Sequence, residues 1–415
     1  LLNDQKKKQE ESPAEGMQKT EKCMSRKSSL TWYAGWVAVL AVFLLALEEC
    51  REPYVPPAIQ NSPSYLVVDG FLNGGQDSSV IRLSRTRNLD SLSTVPEPHA
   101  QVIVIGDDSV THPLYEETNG YYGSPQLGLN GNIKYRLRIF TNNGQSFQSD
   151  TFSVRSTPPI DSVTWKNDNS GVGIYVNAHD PLNNTWYYRW DYTETWQYHT
   201  YIQSSFEWVN DQIIHRPASD QIYDCWTTSN STDIHVSTTT LLAQDVVSNY
   251  LLNTIPTGSE KMSKEYSILV RQYAITADAY SYWQNLKQNT EQVGGLFDPQ
   301  PSQVTGNIHC LSNPKDPVLG FISASTVSSQ RIFISTNDLT LAWGYVPYYT
   351  AFSATCVITN FQLPQMIQYF DVPGPLSYTL LGQPTGGQGY LVVPSECADC
   401  SAHGGSNIKP SYWPF

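Results

Sequence analysis

Near the carboxyl end, "PSECADCSAHGG" places Cys397, Cys400 and His403 at three-residue intervals. Two thiols and an imidazole so spaced could hold zinc, form a redox couple or close a disulfide. Zinc needs a fourth ligand, and the sequence holds no second C-x-x-C and no H-x3-H; His309-Cys310 is a distant source of one. A redox-active C-x-x-C needs a strand-to-helix setting to lower a thiol pKa. This pair lies instead in a tail rich in Gly, Ser and Pro. A local Cys397–Cys400 disulfide is the first expectation and zinc the second. It would pin "GGSNIKPSYW" against the domain together with Trp413. Apart from Cys23 and Cys50 there are five cysteines, Cys225, Cys310, Cys356, Cys397 and Cys400, so at least one is unpaired or bonded elsewhere.

The other residues that could do chemistry are aromatic. "NTWYYRWDYTETWQYHTY" puts Trp186, Tyr188, Trp190 and Tyr192 on one face of a strand. Such a face is either a core face, the first expectation because strands favour aromatics, or a stacking platform for sugars or a peptide. An exposed ligand or partner surface is expected instead at Trp196, Tyr198, Phe206 and Trp208, where the alternation loosens. Catalytic signatures are missing: no G-x-S-x-G, H-E-x-x-H, G-x-G-x-x-G or G-x4-G-K-[ST]. The eight histidines are scattered. "NDNSG" at 167–171 reads as a hairpin turn, since it lacks the ligand spacing of a calcium loop. Accordingly no catalytic residue, metal ligand or cofactor is assigned. Sequons at Asn183 and Asn230 matter only in a host that N-glycosylates.

The elements that must position these residues are mainly β. "YLVVDGFL", "SVIRLSRT", "AQVIVIGDD" and "KYRLRIFT" are strand-like, and Asn143-Gly144 signals a hairpin into "QSFQSDTFSV". Residues 64–157 therefore read as an immunoglobulin-like or transthyretin-like sandwich, closed by "STPPI". Residues 160–393 read as a larger β-rich domain with one clear helix, Thr276 to Gln292. Thr276 caps it, Ala279, Trp283 and Leu286 form its inner face, and Gly294-Gly295 stops it. "EYSILVRQYAI" precedes the helix as a strand, and runs near 316–335, 351–363 and 377–393 follow as strands. Residues 394–415 form the C-x-x-C tail.

The amino-terminal end speaks to compartment. Residues 1–49 read as an upstream segment and a lipoprotein-type signal, with Met24 a plausible start, basic Arg26 and Lys27, and an uncharged run of 18 residues from Leu30 to Leu47. Cleavage before Cys50 would leave a thiol for lipid. Glu48-Glu49 departs from the small residues a lipobox favours, which keeps an uncleaved anchor and ordinary secretion as second and third readings. All three place the chain outside the cytoplasm. Residues 50–63 are a proline-rich tether.

The bulk numbers agree. At 415 residues the chain has room for two or three domains. With 11 Trp, 26 Tyr and only 15% charged residues it suits strands, and its charge of −13 argues against nucleic acid.

Several long stretches resemble one family. "C-x-E-P-Y-x-P", "LVVDGFL", "YYRWDYTETW", the run from "YSILVRQYAIT" to "GFISAS", and the ending "P-x-E-C-A-D-C…GG-x-N-x-K-P-x-YW" are similar to a Bacteroidota outer-membrane lipoprotein family known as domain of unknown function 4249. The resemblance covers residues 50–413 and implies an exported lipoprotein encoded beside TonB-dependent transporters. By resemblance Cys50 matches the lipidated cysteine, and Cys397 and Cys400 match the tail pair. No activity or catalytic residue comes with it. The expected function is an outer-membrane, lipid-anchored, non-catalytic accessory of a TonB-dependent β-barrel in nutrient capture, on the cell surface or periplasmic face. The alternatives are a surface hydrolase acting on glycans or peptides, and a structural or adhesive module.

Overall fold

Alternation along Lys134–Phe140 buries Tyr135, Leu137 and Ile139 and leaves Lys134, Arg136 and Arg138 at least partly in water. The computed structural model describes residues 64–87, 94–291, 304–339, 356–371 and 375–414. The leader, Cys50, the tether, Gly294-Gly295 and residues 351–355 lie outside the described residues.

The protein is mainly β. In the first lobe, hydrogen-bonded neighbours run from Lys134–Phe140 through Gln101–Gly106, Thr111–Thr118, Tyr121–Ser124, Ser79–Arg85, Leu66–Asn73 and Ala324–Ser325 to Phe152–Arg155. Phe152–Arg155 pairs in turn with Lys134–Phe140, so the pairing closes around a core that includes Val68, Leu83, Val104 and Ile139. Closure leaves these strands no free edge within the ring. The Asn143-Gly144 hairpin forms as its turn chemistry demands, with Phe140 opposite Ser146 and Gly144 at φ 84°.

This lobe is not continuous in sequence. Residues expected in the larger domain return to it. Ile308–Cys310 pairs with Ser146–Ser149, and Ala324–Ser325 lies parallel between Leu66–Asn73 and Phe152–Arg155. Gly320 permits the return: at φ +133° its backbone runs so close to Val68 that a Cβ would sit 2.0 Å from that carbonyl oxygen.

The second lobe sets the three-stranded sheet of Ile160–Asp168, Gly171–His179 and Val246–Pro256 against a five-stranded one. The latter is centred on Tyr187–His199 and Glu265–Ala274, flanked by Asp224–Asn230, His235–Thr238 and Val327–Ser335. Val172, Ile174 and Val176 from one sheet share a core with Tyr188, Trp190, Tyr266 and Ile268 from the other. The "NDNSG" segment is the hairpin turn joining Asp168 to Gly171. A third, smaller sheet, Thr359–Phe361, Tyr378–Gly382 and Tyr390–Pro394, has its own core around Phe361, Met366 and Val392.

The expected helix spans Ala277–Glu291, but it is not alone: Leu363–Phe370 forms a second helix and puts Met366 into the small sheet's core. The Thr276 hydroxyl accepts from the Ala279 amide at 3.1 Å, the expected cap. Ala279 is fully buried, and Trp283 packs beside it with Tyr273, Phe71 and Phe321. The helix thereby wedges between the two lobes, because Phe71 belongs to the first and Tyr273 to the second. Among the described residues no helix is long and apolar enough to cross a membrane.

Candidate functional site

The expected Cys397–Cys400 bridge is corrected by the structure. Cys400 bonds Cys225, and Cys397 bonds Cys356, each with Cα atoms 5.7 Å apart. The reason is local backbone: Ser395–Cys397 and Cys400–His403 are two separate 3-10 turns. They turn the sulfurs into different surroundings, Cys400 into the second lobe's core and Cys397 beside Val393, Ile202 and Leu381. "CADC" is thus a double staple that ties the small sheet and the tail to the second lobe. His403 donates from Nε2 to the Glu396 carbonyl at 2.7 Å, which explains its spacing without a metal. Among the described residues Cys310 is the remaining thiol, buried in the first lobe's core.

The tail is held as expected of Trp413, though by a different bridge. Its ring lies edge-on to Trp226 and Phe333, and the Arg331 guanidinium sits 3.8 Å over the Tyr412 ring. Tyr412 and Thr195 share a hydroxyl hydrogen bond at 2.9 Å.

The expected aromatic surface is also corrected. Trp196 and Tyr198 are buried within the second lobe's core, because even-numbered residues of the strand face inward to its end; from Glu194 to Tyr198 both faces are covered, Thr195 and Gln197 included. The Tyr198 hydroxyl donates to the Cys400 carbonyl at 2.9 Å. Phe206 and Trp208 are half-buried against the small sheet, where Trp208 Nε1 donates to Asp371 at 3.0 Å and its ring meets Tyr390 edge-on. These four side chains are spent on packing. Of the expected core face, Tyr188, Trp190 and Tyr192 are buried, while Trp186 just precedes the strand and is half-buried.

The structure places a candidate site elsewhere. A cavity of about 820 Å³ opens where the first lobe meets the helix. One wall is Asp150 to Arg155, a second is the helix face of Asp278, Ser281, Tyr282 and Asn285, and a third is Thr305 to Asn307 with Phe321 to Ala324. Asn307 stiffens that third wall: its side chain exchanges two 2.8 Å hydrogen bonds with the Ile322 backbone. The Tyr282 and Phe321 rings, 5.2 Å apart, give an apolar corner, and burial, with the Asp69 charge, pushes the Tyr282 hydroxyl pKa up. Lys134, Arg155, Asp150 and Asp278 bring two charges of each sign. Such a lining suits a polar, roughly neutral guest held by many hydrogen bonds. The three-, four- and seven-residue spacing of Asp278, Ser281, Tyr282 and Asn285 marks one helix stripe. This polar stripe is the sequence signal for that wall, and the apolar one of Ala279, Trp283 and Leu286 on the same helix masks it.

Among the described residues no His, Cys, Asp or Glu cluster could hold a metal ion. A mainly β protein with a preformed polar cavity at a lobe junction is the class these observations define. The chain matches the family model "Domain of unknown function (DUF4249)" over residues 51–331 and belongs to that family. No curated protein matches it.

Proposed function

We propose that this protein is an exported binding component that captures a small polar nutrient and presents it to a TonB-dependent outer-membrane barrel, anchored by lipid on Cys50. The observation that carries the reading is the cavity between the first lobe and the helix. It is large enough for a metabolite, its lining carries polar side chains and charged ones of both signs, and one wall is a segment held by the Asn307 amide. Two disulfides support an oxidising compartment. The resemblance of the leader and tail motifs supports the lipid and the barrel partner. In this reading the lipid tethers the chain, and the barrel carries out transport.

The test is to purify the native protein from outer membranes in mild detergent and identify its companions by mass spectrometry. A stoichiometric TonB-dependent barrel is the expected companion. Recovery of the protein alone, under conditions that keep a known barrel complex intact, overturns the partner. Globomycin should block maturation at Cys50; an unchanged precursor size removes the lipid. A hydrolase acting on glycans or peptides is the second reading. It would draw on Asp150 and Asp278, the two carboxylates of the cavity. Turnover lost in D150N and D278N proteins would establish it in place of simple capture.

A further inference from the structure

A second cleft, of about 300 Å³, lies on the outer face of the five-stranded sheet. Arg189, Asp191 and Arg271 form its floor; Asp69, Trp283 and residues 230–234 form its walls. The floor follows from register: Arg189 lies opposite Tyr273 and Asp191 opposite Arg271, so all four project from the same face.

The two guanidinium groups are in different states. Arg271 is spent, with Nε donating to Asp191 at 2.5 Å and Nη2 to Thr193 at 2.9 Å. Arg189 is held by rings alone. Its guanidinium carbon is 4.3 Å from the Trp283 ring centre and 5.4 Å from that of Tyr273. Among the described residues it has no hydrogen-bond acceptor and no ion-pair partner. Stacking occupies the faces of a guanidinium and leaves its in-plane N–H edge available. That edge matches a planar carboxylate through two parallel hydrogen bonds. Asp69 and Asp233, both exposed, stand at the rim, likewise without an ion-pair partner among the described residues.

With Asp191 and Arg271 neutralising each other, the cleft offers one cation on its floor and two anions at its rim. A dianion such as phosphate would face those carboxylates and be repelled. A neutral sugar would leave the charges unanswered. A ligand carrying both a carboxylate and an ammonium group answers both.

We propose that this cleft binds a zwitterion of the amino-acid or short-peptide class, with its carboxylate on the edge of Arg189 and its ammonium group toward Asp69 and Asp233. The cleft's size, at the lower end of small-molecule pockets, fits such a ligand and excludes a folded partner. The site stands independently of the large cavity and of any barrel partner, since it is complete within this chain.

The experiment is titration calorimetry on the purified full chain with dialanine, dilysine and diphenylalanine, each also as its C-terminal amide and N-acetyl derivative, and with inorganic phosphate. Saturable binding of at least one dipeptide with free termini is expected. Amidation, or R189K, which keeps charge and stem but loses the planar fork, should weaken it by roughly tenfold or more. Acetylation, or D69N with D233N, should weaken it less, because rim charges are solvent-screened. Unchanged thermal midpoints for R189K and for the rim variant show that the fold is intact. Absence of saturable heat from every dipeptide at millimolar concentration overturns the proposal. So does binding of amides or phosphate equal to that of the free peptides, or an R189K protein that binds like the parent; either makes Arg189 a clamp between strand and helix only.

Discussion

At the scale of single residues, the most consequential group is a carboxylate in the second lobe. Asp245 is fully buried. It accepts from the Tyr188 hydroxyl at 2.9 Å and the Thr239 hydroxyl at 2.6 Å, and its own amide donates to Asn183 at 2.8 Å. Burial pushes its pKa up, and the Thr239 and Tyr188 bonds oppose that rise. Removing the acceptor strands two buried hydroxyls. Asp245→Ala should therefore cost about 2–4 kcal/mol of stability in urea unfolding. Asp245→Asn should cost less, since hydroxyls can reorient to give and accept. Equal losses for both variants would show that the hydrogen bonds contribute little. His235 supplies a pH signature. It is buried between Tyr192 and Tyr250 with Nε2 unpartnered, and burial, then the Lys287 charge, depress its pKa below 6.5. The unfolded chain then binds a proton that the folded chain refuses. The contribution of His235 is full above pH 6.5 and is lost as pH falls toward its folded value. His235→Phe should flatten the decline in unfolding free energy on acidification below neutrality; an unchanged slope would assign that decline to other groups.

At the scale of elements, periodicity carried most of what was legible. The helix starts where a capping threonine and an i, i+4, i+7 apolar stripe place it, and it is described as far as Glu291. The strand faces around Tyr135 and Trp190 followed from alternation. The disulfides did not, because pairing depends on which elements meet, and C-x-x-C proximity along the chain says nothing of where each Cβ points. Non-reducing peptide mapping should recover Cys225 linked to Cys400 and Cys356 linked to Cys397, with alkylation in denaturant reaching only Cys310 among these five. The two staples should differ in effect. Cys225–Cys400 spans 175 residues and ties the tail to the sheet. Its replacement by two serines should cost about 2–4 kcal/mol and expose the Trp413 contacts, read as a red shift in tryptophan emission. Cys356–Cys397 spans 41 residues within the small sheet's surroundings. Its loss should leave that emission unchanged.

At the scale of the whole molecule, the sequence order of the lobes conceals how they depend on one another. Residues 64–157 carry every outward sign of an independent domain, including the alternation, the hairpin and the closing prolines. Nothing in their composition shows that, among the described residues, Leu66–Asn73 and Phe152–Arg155 are bridged by Ala324–Ser325, which arrives after most strands of the second lobe and just before its Val327–Ser335. The returning segment also contributes Ile308, Val318 and Ile322 to the first core, and these are nearly inaccessible to solvent. A fragment of residues 64–157 would thus expose two strand edges and leave that core short of three large side chains. Each such side chain is worth about 1.5–3 kcal/mol on burial, and a stable domain has only about 5–15 kcal/mol in total. The fragment should therefore lack dispersed amide proton signals and aggregate through its open edges. A fragment of residues 64–339 retains the return and should give dispersed signals for the first lobe. If the short fragment folds cooperatively alone, the returning strand is an addition to a finished domain. If it does not, the first lobe forms only once the second lobe has brought residues 308–325 back. The cavity between them, whose third wall is that same returning segment, is then assembled in the same step as the fold.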